Sequence, residues 1–285
     1  MANSKNGQTD KSKPVTLSEC YAAFLEEKMA SLAIKTQENY TRAGRLIPQS
    51  RKAMRDYTPQ DITKLIKDLR PGAYMTARGF LSSLFSFGIS RGWATVNPVA
   101  YVETKKLGHI ARIARDEARK AIQTVPDPML SLLFETQYAC GQRLSDVLAI
   151  KPVNINNGQL VITQKKTGNI VDIPISKDLT DKLLALGRQP CEPFFQIKPR
   201  KVWAEWRKLR KELGLNMRQS PHSFRKAASC EAAEGGASEA ELQALLGHKS
   251  PIAASLYRLE ANRSVLAGSA MAKREPIVIA KDSRA

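Results

Sequence analysis

Residues 159–175 read QLVITQKKTGNIVDIPI. Gln159–Gln164 and Ile170–Ile175 are rich in β-branched residues, and Lys165-Lys166-Thr167-Gly168-Asn169 between them is a turn signal. The segment therefore predicts a β-hairpin. The stretches around it carry helical spacing instead. Ahead of it stand Arg115–Thr124, Pro128–Ala139 and Gln142–Ile150. After it come Lys177–Leu186, Pro199–Leu213, Pro221–Glu234, Ser238–Leu246 and Ile252–Leu259. A small antiparallel sheet embedded in helices makes this half mainly α, of the α+β kind.

The first hundred residues lack strand signals. Thr16 opens a helix, with Glu19 three residues on to complete a capping box, and Leu17, Tyr21, Phe24 and Lys28 follow at helical spacing. A second helix is expected from Thr36 to about Leu46. In the third, Thr58 is the N-cap, Pro59 the first helical residue, and Ile62, Leu65, Ile66 and Leu69 form one apolar stripe. A fourth runs from about Ala73 to Ser90, with Phe80, Leu84, Phe85 and Phe87 as core, before Asn97-Pro98 breaks the pattern. These four helices predict a small all-α domain.

The expected division is thus a disordered start at 1–13, a four-helix domain at 14–101, a polar and basic linker at 102–113, a second domain at 114–268 and a tail at 269–285. His109 in the linker is read as a surface residue without a role. In the tail, Pro276–Ala280 (PIVIA) is a strand candidate with no local mate, which needs another edge to pair with. Docking within the chain and docking on a neighbouring protomer both satisfy it.

The chain has 285 residues, with 45 Lys plus Arg against 27 Asp plus Glu, net +18. Residues 1–105 carry net +7 and residues 106–285 net +11, so the charge is not one basic tail. Two basic bodies suit a polyanion held from both sides, with Lys and Arg displacing condensed counterions. No run approaches the length of a membrane span. Met1–Lys13 lacks the apolar stretch of a signal peptide. Cys20, Cys140, Cys191 and Cys230 form no CxxC pair, and with three histidines in all a zinc site of ordinary spacing is excluded. A reduced, cytoplasmic chain is expected.

Five short segments carry candidate chemistry. In Cys140-Gly141-Gln142-Arg143-Leu144-Ser145-Asp146, a glycine-led helix start aims Arg143 at an anion; an ordinary surface arginine is the alternative. Lys166, on the hairpin turn, can reach into a groove as a movable proton donor, or be a solvated turn lysine beside Lys165. In Ser220-Pro221-His222-Ser223-Phe224-Arg225, Ser220 caps a helix begun by Pro221. His222 and Arg225 then share one face and make a phosphate site with an acid/base member. Leu246-Gly247 ends a helix at a C-cap glycine directly before His248. Tyr257 follows nine residues later. Taken singly, each has a structural explanation. Their joint order over about 115 residues is not expected by chance.

With CGQRLSD, KKTG, PHSFR, LLGHKS and SLYR in that order, the chain resembles the tyrosine recombinase family, of the phage-integrase, lambda type. The resemblance implies a core-binding, four-helix DNA-binding domain ahead of a mostly helical catalytic domain. It implies that Tyr257 attacks a DNA phosphate and leaves a 3′-phosphotyrosine. Arg143 and Arg225 would clamp the non-bridging oxygens, His222 accept the tyrosine proton, Lys166 protonate the leaving 5′ oxygen, and His248 bond the phosphate. Asp146 would support Arg143 from behind. The expected activity is site-specific recombination, for integration and excision of a mobile element or resolution of DNA multimers. The alternatives are relaxation of the type IB topoisomerase kind, or a catalytically silent DNA-binding protein. The expected partner is double-stranded DNA, held by a tetramer on paired sites that assembles from monomers or weak oligomers, with accessory DNA-bending proteins. No metal, cofactor or membrane is expected. Lys35, Arg42, Arg45, Arg78, Lys201, Arg207 and Lys208 are candidate DNA contacts.

Overall fold

In a computed structural model, the described residues are 14–48, 51–248, 250, 255, 257–259 and 261–273. The expected disorder of 1–13 and the Pro276–Ala280 strand lie outside them. So does half of the Ile252–Leu259 helix, of which residues 255 and 257–259 are described as helical. The chain forms two compact units that divide between Gly108 and His109.

The first unit is built from α1 (Leu17–Glu27), α2 (Ile34–Gly44), α3 (Pro59–Ile66) and α4 (Pro71–Ile89). Thr16 and Thr58 cap α1 and α3 with reciprocal capping boxes to Glu19 and Asp61, each such cap contributing about 1 kcal/mol. Phe24, Tyr40, Phe80 and Phe87 interlock between α1, α2 and α4, largely edge-on or tilted. Of the α3 stripe, Ile62 and Ile66 are fully buried, whereas Leu65 and Leu69 are partly so. Arg78, a candidate DNA contact, is a half-buried residue of α4. Its guanidinium donates to the carbonyls of Val102 (3.1 Å) and Val99 (3.2 Å), so it ties the end of this unit back onto α4.

The second unit contains α5 (Arg115–Thr124), α6 (Pro128–Cys140) and the short α7 (Leu144–Val147). A three-stranded antiparallel sheet in the order β1-β2-β3 follows: β1 (Ile155–Asn156), β2 (Gln159–Thr163), β3 (Ile170–Pro174). After it come α8 (Lys177–Leu184), α9 (Pro199–Glu212), α10 (His222–Glu234), α11 (Glu239–Leu246) and a last described helix, Arg263–Ala272. In the β2–β3 register Leu160 faces Ile173 and Ile162 faces Val171. These four are buried while Val161 and Asp172 between them are exposed, the alternation of a half-covered sheet. The core centres on Phe134, Trp206 and Phe224, with Phe224 stacked on Phe134 at 5.1 Å.

Three expectations need correction. The helix expected over Gln142–Ile150 shrinks to Leu144–Val147, because Gly141 adopts a left-handed φ of 65° and Arg143 is extended. Ser220 does not cap α10. Its Oγ has no hydrogen-bond partner among the described residues, and its N–H donates to Ser223 Oγ (2.9 Å). The linker is shorter than 102–113. Val102 is buried in the first unit and Ile113 in the second, and Ser223 Oγ and Lys226 Nζ donate to the carbonyls of Ala111 and Ile110.

Candidate active site

Helix α6 ends at Gly141, whose left-handed backbone turns the chain sharply into α7. Arg143 emerges from this turn with one-fifth of its side chain exposed. Its Nη1 donates to Gln164 Oε1 (3.0 Å) and lies 3.8 Å from Asp146 Oδ2. Asp146 is fully buried beneath it, and Asp146 Oδ1 accepts the Lys165 backbone N–H (3.0 Å). One carboxylate thus fastens the hairpin turn to the helix that presents Arg143.

Arg225 lies one turn into α10, and Phe224 beside it is locked in the aromatic core. Its guanidinium is 1% exposed. It donates to the carbonyls of Gly141 (3.0 Å) and Leu246 (3.1 Å), approaches Gln142 Oε1 (3.4 Å), and meets His248 Nε2 at 3.0 Å. Burial pulls its pKa down and Arg143 adds to this. Tyr257 and the charge of Asp146 pull the other way. A guanidinium stays protonated regardless, so a fixed cation faces the tyrosine.

His248 follows Gly247, whose φ of 61° closes α11. The imidazole stacks on the Tyr257 ring, centroids 6.0 Å apart and 19° from parallel. Asn169 from the hairpin turn donates to the Gly247 carbonyl (2.9 Å) and so holds the turn that carries His248. Half-buried His222 opens α10. Burial, then Arg225, Arg143, Lys226 and Lys166, push its pKa down to about 4. Burial, Arg225 and Arg143 push His248 down to about 4 as well. Both imidazoles are neutral at pH 7 and can accept a proton or a hydrogen bond.

Arg143, His222, Arg225, His248 and Tyr257 therefore form one cluster. Lys166 is exposed on the hairpin turn but close enough to His222 to influence its charge. Two further residues, given no role by the sequence, sit behind the cluster: Gln142 and Gln164, both buried and bonded to each other at 2.8 Å. Gln142 stands inside the CGQR phrase and Gln164 directly before KKTG, and that adjacency is the one signal the sequence offered for them.

The remaining candidates spread over both units. Lys35, Arg42 and Arg45 are exposed on or beside α2, with Lys35 paired to Glu38 at 2.6 Å. In the second unit Lys201 pairs with Asp127 (2.9 Å) and Lys208 with Glu205 (2.9 Å), while Arg207 Nε donates to the Trp203 carbonyl (3.3 Å). Exposed pairs of this kind contribute little to stability. Among the described residues no helix is long and apolar enough to cross a membrane.

Comparison with known proteins places this geometry. A family model described as the phage integrase family matches residues 111–263. The integrase of Enterobacteria phage 434 is 29% identical over 233 residues, a match covering 74% of this chain and 65% of that protein. The integrase of Escherichia phage lambda gives the same figures. Tyrosine recombinase XerC of Rickettsia rickettsii (strain Iowa) is 33% identical over 125 residues, covering 40% of this chain and 41% of that protein. The chain thus spans less than two thirds of the phage integrases it matches. Among solved structures, a lambda integrase tetramer bound to a Holliday junction aligns with TM-score 0.69 at 26% identity. That alignment covers 85% of this chain and 80% of that one. A lambda integrase dimer bound to a core site aligns with TM-score 0.72 at 24% identity, covering 93% and 79%, and supports the fold.

Proposed function

Because this chain belongs to the phage integrase family, we propose that it is a site-specific DNA recombinase that breaks and rejoins duplex DNA through a covalent bond to Tyr257. The observation that carries this reading is the convergence of two guanidiniums, two neutral imidazoles and a tyrosine hydroxyl from separate segments around Arg225.

In this reading Arg143 and Arg225 hold the two non-bridging oxygens of the scissile phosphodiester. Tyr257 Oη attacks phosphorus. The P–O bond to tyrosine forms as the bond to the 5′ oxygen breaks, leaving a 3′-phosphotyrosine and a free 5′ hydroxyl. His222 takes the phenolic proton and Lys166 supplies one to the departing oxygen. His248 bonds the phosphate, and Asp146 braces Arg143. A 5′ hydroxyl from the exchanged strand then attacks the phosphotyrosine and releases Tyr257, so the phosphodiester energy is conserved and no nucleotide cofactor is needed. A phenol is a poor nucleophile at neutral pH without a base or cationic neighbours, and this cluster supplies both. Each fixed charge aimed at the transition state contributes about 3 kcal/mol to the lowered barrier. The cations that lower the His222 pKa are the groups a phosphate neutralises, so bound DNA raises its basicity where it is needed.

Recombination joins two sites, so the reading calls for a tetramer on paired duplexes, assembled from monomers or weak oligomers, with accessory DNA-bending proteins as further partners. It places the chain in the cytoplasm with its DNA. Integration, excision and multimer resolution all use this chemistry. The test is a supercoiled plasmid bearing two copies of the DNA that flanks the gene. Recombinant circles support the reading. Relaxed circles without exchange favour a topoisomerase, and unchanged plasmid with shifted mobility favours a silent binder.

A further inference from the structure

Resting on that reading, we infer that Gln164 is a positioning residue that sets Arg143 against Arg225 and binds the Lys166 and His248 turns to the same point. Gln164 is 1% exposed. Its Oε1 accepts from Arg143 Nη1 (3.0 Å) and Thr167 Oγ1 (2.8 Å). Its Nε2 donates to Gln142 Oε1 (2.8 Å) and to the Leu246 carbonyl (2.8 Å). Gln142 completes the relay, donating to the Leu245 carbonyl (2.6 Å) while its Oε1 lies 3.4 Å from Arg225 Nη1. A chain of two carboxamides thus runs from one guanidinium to the other.

The chemistry of the four partners fixes the residue type. One end of the group must accept twice, from an arginine and a hydroxyl. The other must donate twice, to two oxygens. A carboxamide alone does both. A carboxylate would have the shape but no donor, and its charge would offset that of Arg143, which the phosphate needs. An apolar isostere would leave buried polar atoms unpaired. The fit is close: a Cβ at Gly247 would stand 2.6 Å from Gln164 Nε2, so the glycine after Leu246 leaves the room that the carboxamide fills. The same residue is part of the turn, since its carbonyl accepts the Gly168 N–H (2.9 Å) and its N–H donates to the Asn169 carbonyl (2.8 Å). Lys166 is therefore tethered two residues from the group that aims Arg143.

The test compares wild type, Gln164→Met and Gln164→Glu on a nicked duplex cut from the DNA that flanks the gene. Duplex affinity is read by gel shift and single-turnover covalent adduct by denaturing gel. Both variants are expected to bind the duplex within about threefold of wild type, since phosphate contacts elsewhere dominate affinity. Gln164→Met is expected to form adduct roughly 30-fold more slowly, in line with the cost of misplacing a catalytic group. Gln164→Glu is expected to be slower still, because it also neutralises Arg143. A merely structural residue would lower folded protein and binding together and would not rank the two in that order. Should both variants fail to fold, a structure of the wild-type chain trapped on duplex with vanadate decides. Gln164 Oε1 on Arg143 and Arg143 on vanadate support the inference; a carboxamide turned away from Arg143 overturns it. A wild-type adduct matched in rate by folded Gln164→Met overturns this inference alone. No adduct from wild type overturns the underlying reading and this inference with it.

Discussion

Arg225 Nη2 lies 3.0 Å from Nε2 of His248. A guanidinium can only donate, so Nε2 is the acceptor and the imidazole proton sits on Nδ1. Nδ1 is buried without a hydrogen-bond partner among the described residues. Without DNA, His248 therefore holds Arg225 through Nε2 and must be neutral to do so; bonding a phosphate requires it to release Arg225 and carry its proton on Nε2. Protonation would set two cations against each other.

That requirement predicts a pH dependence. Both His222 and His248 fall from an ordinary value of 6.5 to about 4 in the folded chain. Between those values the unfolded chain binds more protons than the folded one, so stability rises with pH across the window. It is complete above about pH 6.5 and is lost as pH falls towards 4. The thermal midpoint is expected to drop over that range. The double variant His222→Gln, His248→Gln is expected to flatten the drop, measured by circular dichroism at a series of pH values.

The two arginines are predicted to fail differently. Arg225 satisfies two buried carbonyls, those of Gly141 and Leu246, whereas Arg143 is partly exposed. Arg225→Ala is expected to cost about 2–4 kcal/mol of stability, since unpaired buried acceptors cost about 1–3 kcal/mol each. Arg143→Ala is expected to cost less, about 1–2 kcal/mol, because the buried Asp146 loses its nearby cation while its Oδ1 keeps the Lys165 N–H and Gln164 Oε1 keeps Thr167. Each is expected to slow adduct formation by about 100-fold or more. Chemical denaturation and single-turnover cleavage measure the two effects separately.

Lys166 is predicted to act on the leaving oxygen. Lys166→Ala is expected to slow cleavage of an ordinary duplex by about 100-fold or more, the usual worth of a general acid. On a duplex whose bridging 5′ oxygen is replaced by sulfur, the same variant is expected to cleave close to wild-type rate, because a thiolate leaves without a proton. Equal slowing on both substrates would assign Lys166 to binding instead.

Helix boundaries were legible wherever local chemistry sets them. Thr16, Thr58 and Ser238 each carry an acidic residue three positions on, and each makes the capping box that spacing implies. Legibility ended where distant segments decide. Gly141 ends α6 and Arg143 is extended, and the Gln142 side chain between them is held by the Leu245 carbonyl, 103 positions away. Ser220 yields its capping place because Ser223 Oγ takes its N–H and is itself held by the Ala111 carbonyl. Strand β1 spans Ile155–Asn156, too short for any alternation to register. In the site, the charged and aromatic groups stand in motifs that the chain order displays. Gln142 and Gln164 are neutral, and their importance arises only when Arg143, Arg225 and Leu246 converge on them.

Residue-level mapping of the protein–DNA bond bears most directly on the whole account. The chain is incubated with nicked flanking duplex, denatured, digested, and its nucleotide-bearing peptide sequenced by mass spectrometry, alongside Tyr257→Phe. The account predicts a single 3′-linked adduct on Tyr257 and none in the variant, which still shifts the duplex on a native gel. An adduct on any other residue, or one that survives denaturation in Tyr257→Phe, would contradict it.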